Sequence, residues 1–345
     1  NSAECCGARA RRAIVALRKL DPEKAPYDAA LDGNFSGAKY FADSNYLVYR
    51  RPAWFASLRM NSKRVRPVED DVNGDNALGR YASDGTIQIL RSGKESENVT
   101  GCWNWTRLPG TTLPATPVLG PEECKKRNLR VYNYKQVLRY SFGLPARLLG
   151  ESDFVHAVAE ENHAAAVYTQ NVDGVRAKKA YFFDENSVYL LGAAIDSDSP
   201  YPVATTVNVA RKNGNVIKGA DWGWHDGIGY KGARLQIAEG VRSGDWGIVS
   251  GGLAKPAPFS AELFSVGVEH GIGVKGGSYA VAVLPGASPE ETARFELRIL
   301  ANTPSLQAVQ FADGTAGAVF HEAGKLGSFE AKEPGVFLIP AENLK

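Results

Sequence analysis

The sequence predicts a mainly β protein, a large antiparallel β-sandwich followed by a small second β domain. Three observations carry that expectation. Short runs with a period of two recur from about residue 40 onward, rich in aromatic and β-branched residues. Glycine is abundant, with 36 among 345 residues, as many tight turns require. Helical periodicity is confined to the chain start and one short interruption near residue 288.

Taken in order, Ala8–Leu20 places Ala, Arg, Ile and Leu at helical spacing until Asp21-Pro22 stops it, and reads as the tail of a helical region. Strand-like runs follow at Tyr46–Tyr49, Phe55–Met60, Thr86–Leu90 and Ala177–Phe183. Others lie at Val188–Ile195, Val203–Ala210, Arg234–Ala238, Leu263–Val268 and Tyr279–Leu284. So many strands without helices between them favour antiparallel sheets packed face to face. Pro109–Pro121 reads as a long irregular loop. Ser288-Pro289-Glu290-Glu291 supplies an N-cap, a first-turn proline and an acidic capping-box residue, which predicts a short helix to about Phe295. Strands resume at Leu306–Phe311, Gly317–Glu322 and Gly335–Ile339.

Composition excludes several classes. Forty Lys and Arg face 38 Asp and Glu, a net charge of +2, which argues against a bare nucleic-acid backbone or an anionic membrane as the main partner. No apolar run is long enough for a spanning helix. No P-loop, dinucleotide fingerprint, nucleophile elbow or zinc pattern is present, so the sequence gives no reason to expect a cofactor or metal. Cys5 and Cys6 are adjacent and poorly placed to pair. Cys102 and Cys124 suit either one disulfide or two buried thiols. Asn34, Asn98 and Asn104 begin Asn-x-Ser/Thr triplets, which matter only in a glycosylating source.

A polar cluster on predicted loops carries the chemistry. Arg50-Arg51, Arg59, Lys63-Arg64 and Arg66 precede Glu69-Asp70-Asp71-Val72-Asn73-Gly74-Asp75-Asn76, and Trp103-Asn104-Trp105-Thr106-Arg107 follows. Guanidinium groups pair with sugar carboxylates or sulfates, aromatic faces stack on sugar rings, and amides bond hydroxyls. Together these suit an acidic polysaccharide. The plainer alternative is that the charges are solvated or paired with one another and that Asn-Gly makes a turn.

The stretches Arg59–Arg64, Asp70–Gly79, Ser83-Asp84-Gly85 and Trp105–Thr112 resemble the central β domain of polysaccharide lyase family 8, the hyaluronate, chondroitin and xanthan lyases. The resemblance continues through Ala177–Phe183, Leu191–Ile195, His225–Tyr230, Ser243–Trp246 and Glu269-His270-Gly271, and Asn302-Thr303 with Leu306–Val309 resembles the start of the family's C-terminal domain. It implies an N-terminal α/α toroid, a large antiparallel sandwich of several sheets and a smaller C-terminal sandwich. On that reading residues 1–40 are the end of the toroid and a linker, 41–296 the central sandwich, and 297–345 the C-terminal β domain.

The implied activity is β-elimination at C4 of a uronic acid, leaving an unsaturated sugar. The resemblance sets the main proton-transfer groups on the toroid, which this chain is expected to lack, so little turnover is expected from the chain alone. It also implies a Glu-x-x-Asn pair on the β domain, whose counterpart is Asp70 with Asn73. Asp70 is shorter than the family's Glu by about 1.5 Å, one C–C bond. Arg51, Arg64, Asn76 and Arg107 are the candidate substrate-binding residues, although for the arginines a structural ion pair is an equal alternative. His225 and His270 are read as structural. The implied partners are an acidic polysaccharide and the toroid, with no nucleic acid and no membrane insertion, and family precedent implies a secreted or periplasmic location. The competing reading is a non-catalytic carbohydrate-binding or scaffolding β-sandwich.

Overall fold

The computed structural model describes residues 12–21, 23–24, 27–28, 31, 36–68, 76, 78–129, 140–249 and 257–345. Residues 12–20 are helical. Four antiparallel strands then form the first sheet, in the order β1 (Gly37–Phe41), β2 (Tyr46–Arg51), β3 (Trp54–Met60) and β4 (Asp84–Leu90). In β2 burial alternates residue by residue, because one face meets the core and the other meets solvent.

The central sheet has eight strands, among them β6 (Val155–Ala159), β7 (Ala164–Val172), β8 (Val175–Phe183), β9 (Val188–Ser197), β13 (Ile228–Gly232) and β16 (Gly277–Pro285). From one edge it runs β6, β7, β8, β9, β16 and β13, so β16 is inserted between two strands that precede it in the chain. Both faces of this sheet are covered. Tyr168, Tyr181, Phe183 and Leu190 point into the main core with Leu47, Tyr49, Leu58 and Ile87 of the first sheet and Phe264 and Val266 of another. Val167, Phe182, Leu191 and Leu284 meet Val309, Phe311, Val319 and Val336 on the opposite side. Burial of both faces explains why β8 and β9 read as continuous apolar runs rather than alternating ones.

A second four-stranded sheet runs β14 (Gln236–Asp245), β15 (Pro258–Gly271), β10 (Val203–Arg211) and β5 (Thr112–Pro114). Two expectations change here. The predicted loop Pro109–Pro121 contains β5, all of it buried and paired to Val203–Thr205, and Pro121 opens a short helix, Pro121–Lys126. The run predicted at Arg234–Ala238 becomes a strand that starts at Gln236 and extends to Asp245, because Arg234 sits in the left-handed region at φ 60°.

The capping box forms as expected. The Ser288 side chain accepts from Glu291 N at 3.1 Å, Glu291 Oε2 accepts from Ser288 N at 2.7 Å, and the helix runs Pro289–Arg294. The C-terminal sheet, β17 (Ile299–Asn302), β18 (Leu306–Gln310), β19 (Ala316–Phe320) and β22 (Gly335–Ile339), then packs on the central one. Asn302 Nδ2 ties the two together by donating to the carbonyls of Gly192 at 3.3 Å and Tyr279 at 3.0 Å. Cys102 and Cys124 are buried free thiols, which decides between the two alternatives for that pair. No helix among the described residues is long and apolar enough to cross a membrane.

Candidate functional site at the loops joining the first and second sheets

The segment between β3 and β4 holds most of the polar motif, and both of its ends are fastened. At its start Asn61 Nδ2 donates to Ser83 O (3.0 Å), Asp84 Oδ1 (2.9 Å) and the Tyr168 hydroxyl (3.1 Å). At its end Asp84 is fully buried and accepts from Arg147 through both Nη atoms, at 2.7 and 2.9 Å. Burial works against the charge on Arg147, but Asp84 more than offsets it and holds the guanidinium above its ordinary pKa. Further along, Arg80 grips Asp173 through Nε (3.0 Å) and Nη2 (2.7 Å), and the Tyr81 hydroxyl adds a third donor at 2.7 Å. Burial alone would raise the Asp173 pKa, yet the donors from Arg80 and Tyr81 prevail and lower it.

One apolar cluster brings two distant motifs together. Leu78 and Tyr81 pack with Trp105, Leu108 and Leu113, closed by Phe142 and Val172 with Trp103 against them. Leu78, near the end of the Asp70–Gly79 stretch, thus shares a single anchor with Trp105 and Leu108 of the Trp105–Thr112 stretch. Asn76 lies beside it in the left-handed region (φ 47°), and its carbonyl accepts from Gly79 N at 2.8 Å. Asn76 Oδ1 and the indole nitrogens of Trp103 and Trp105 are buried without a hydrogen-bond partner among the described residues. Such orphaned groups cost free energy unless something else satisfies them.

Arg107 projects from the same cluster. Its Nη1 donates to the carbonyls of Thr106 and Leu113, each at 3.1 Å. It lines a groove of about 480 Å³ on the second sheet, with Asn104 beside it, Thr205 and Thr206 of β10, and Glu269 of β15. Burial lowers the Arg107 pKa and Glu269 acts against that shift, but a guanidinium stays charged throughout the accessible pH range. Behind the groove Thr112 Oγ1 meets Thr205 Oγ1 at 2.8 Å, and Thr205 Oγ1 meets His270 Nε2 at 2.8 Å.

The histidines have structural settings. Burial, with Arg234 and Arg107 nearby, pushes His270 down to about 4, so it is neutral near pH 7. His225 is buried against Phe264 with ring centroids 4.3 Å apart, accepts from Asn213 N at 2.9 Å, and has its pKa lowered by burial.

Of the sequence-predicted residues, Asp70 and Asn73 lie outside the described residues. Arg107 lines the groove on the second sheet, and Asn76 sits in the turn before Gly79. Arg51 and Arg64 are at neither place. Arg51 is buried, donates to the carbonyls of Arg50 (2.9 Å) and Glu161 (3.0 Å), and stacks 4.2 Å over the Tyr49 ring. Arg64 braces the turn after β1, donating to the carbonyls of Asp43 and Ala42. Among the described residues no group of three or more His, Cys, Asp or Glu side chains converges to hold a metal ion.

Comparison with known proteins gives this architecture its family. Residues 36–296 match the family model for the polysaccharide lyase family 8 super-sandwich domain, and 298–343 match its C-terminal β-sandwich domain. The chain belongs to polysaccharide lyase family 8. Within family 8 it is 32% identical over 333 residues to chondroitinase-AC of Pedobacter heparinus, covering 88% of this chain and 44% of that protein. It is 26% identical over 337 residues to a hyaluronate lyase of Thermasporomyces composti, covering 87% and 40%. A solved chondroitinase AC lyase, studied as enzyme–oligosaccharide complexes, superposes with a TM-score of 0.81 at 28% identity over 98% of this chain and 52% of that one. The chain spans under half the length of these curated relatives.

Sequence reasoning missed most of the residues that hold the site rather than form it. Arg80, Arg147 and Asp173 come from three separate segments, and a buried ion pair leaves no periodic trace in the sequence. Asp84 and Glu269 carried a signal only within the Ser83-Asp84-Gly85 and Glu269-His270-Gly271 stretches.

Proposed function

We propose that this chain supplies the β-rich part of a lyase that cleaves uronic-acid-containing polysaccharide, a glycosaminoglycan or a xanthan-like chain, by β-elimination. The observation that carries the reading is the packing of Leu78 against Trp105 and Leu108 in one apolar cluster, with Arg107 beside it lining a polar groove.

Elimination requires three things. The uronate carboxylate must be neutralised so that the C5 proton becomes acidic, a base must remove that proton, and an acid must protonate the departing C4 oxygen. Arg107 has the charge and donor geometry to bind a sugar carboxylate or sulfate. The base and acid belong, on this reading, to an α/α toroid domain facing the loop, where Asp70 and Asn73 hold the toroid's reactive side chains in position. A polymer too large to enter a cell suits an enzyme exported to the periplasm or beyond.

The test uses the protein with its toroid, offered chondroitin, hyaluronate and xanthan in turn, with the ultraviolet absorbance of the unsaturated product as the readout. Asp70→Ala and Asn73→Ala are expected to lower kcat by about 10- to 100-fold, equivalent to about 1.4–2.7 kcal/mol of lost transition-state stabilisation. Unchanged kinetics removes these residues from the site. Robust turnover by the 345-residue chain alone overturns the assignment of the base to the toroid.

A further inference from the structure

The far end of β4 carries a second polar pocket, of about 450 Å³, where Leu90 gives way to Arg91 and where β10 ends at Arg211. Strand β4 leads from Asp84, at the candidate loop, to Leu90 beside this pocket, so the two places stand about 20 Å apart along one strand. Four cations, Arg91, Lys94, Arg211 and Lys212, line it with three carboxylates, Glu95, Glu97 and Asp226.

The carboxylates are largely spoken for. Asp226 Oδ1 accepts from Asn213 Nδ2 at 2.8 Å. Glu95 Oε1 accepts from the amides of Arg91 (2.7 Å) and Ser92 (2.8 Å), while its buried Oε2 has no partner among the described residues. Lys212 pairs with Glu239 at 3.5 Å, outside the pocket. Arg91, Lys94 and Arg211 form no ion pair among the described residues. Arg91 is also fixed in place, since its Nη1 donates to Asp226 O at 3.2 Å and its guanidinium fills the space that a side chain on Gly227 (φ +74°) would occupy. No aromatic or aliphatic side chain lines the pocket.

Three cations without an ion-pair partner suit an anionic ligand, and Glu97, whose carboxylate has no partner among the described residues, suits one that also offers a hydroxyl donor. A bare inorganic anion meets only the first demand, whereas an acidic sugar meets both. We infer that this pocket is a second anchoring site for an acidic polysaccharide, binding a uronate or sulfated sugar remote from the groove at Arg107. The inference rests on the proposed substrate class but not on catalysis by this chain.

The test is a titration of the 345-residue chain with a chondroitin hexasaccharide, following the backbone amide resonances of Ser92 and Asn213 by NMR, with inorganic sulfate as a separate probe. Saturable shifts at both amides are expected, with affinity at least about tenfold weaker in Arg91→Ala/Arg211→Ala, because two charge-assisted bonds to the ligand are lost. The Arg107→Ala variant is expected to retain these shifts. No shift at Ser92 and Asn213, or equal affinity in the double variant, overturns the site. Sulfate binding as tightly as the hexasaccharide reduces it to a simple anion pocket and overturns the sugar assignment. Product formation by the protein with its toroid tests the lyase reading separately, so the two can fail independently.

Discussion

Arg147 holds Asp84 in a bidentate pair at 2.7 and 2.9 Å, with Asp84 wholly shielded from solvent and two further donors, Asn61 and Tyr168, on the same carboxylate. Because Asp84 is the first residue of β4, this pair sets where the candidate loop ends.

Asp84→Asn keeps the shape and removes the charge, leaving the buried guanidinium without the carboxylate that balances it. Breaking a buried pair from one side costs about 3–5 kcal/mol. Denaturant unfolding of the 345-residue chain is expected to show a loss in that range, and a loss below about 1 kcal/mol would mean that Arg147 finds water instead.

Lys179 provides a pH signature. Its ammonium is fully buried between Tyr168 and Tyr181 with Gly110 O as its acceptor, and burial pushes its pKa down to about 7. In the unfolded chain it titrates near 10.4. Between those values the unfolded state binds the extra proton, so stability rises with pH, and it falls again as pH drops toward 7. Lys179→Met removes this dependence. The stability difference between wild type and variant should change by about 3 kcal/mol from about pH 7 to about 9.5, and parallel curves would show that Lys179 stays charged in the fold.

Arg107 separates positioning from charge. If a form carrying the proposed toroid has the proposed lyase activity, Arg107→Ala is expected to reduce its kcat/KM by about 10- to 100-fold, and Arg107→Lys to recover only part of it, since lysine lacks the planar fork. If both variants match wild type, Arg107 serves only to brace Thr106 and Leu113.

The fold was legible wherever burial was one-sided or continuous. β2 announces itself by alternation, and β9 by an unbroken apolar run. β7 escaped because it opens on three alanines, which lack the branched and aromatic character of a strand despite complete burial there. β5 was hidden between prolines because its partner, β10, lies some ninety residues away. The site was only half legible for a related reason. Arg51, Arg64 and Arg107 look alike in sequence, and all three donate to backbone carbonyls in the fold, so which of them lines the groove on the second sheet follows from the long-range pairing of β5 with β10 rather than from local sequence.

The insertion of β16 between β13 and β9 also has a kinetic consequence. β6, β7, β8 and β9 are successive hairpins that can zip as they are made, but β16 must find β9 across some eighty residues of chain, closing the sheet only after β10 to β15 have emerged. Loop closure over such a span sets a slow pace, so refolding should pass through a species in which the β6–β9 block is hydrogen-bonded while the edge of β9 stays open. Until β16 arrives, that edge is the stretch of the molecule most prone to pair with another chain.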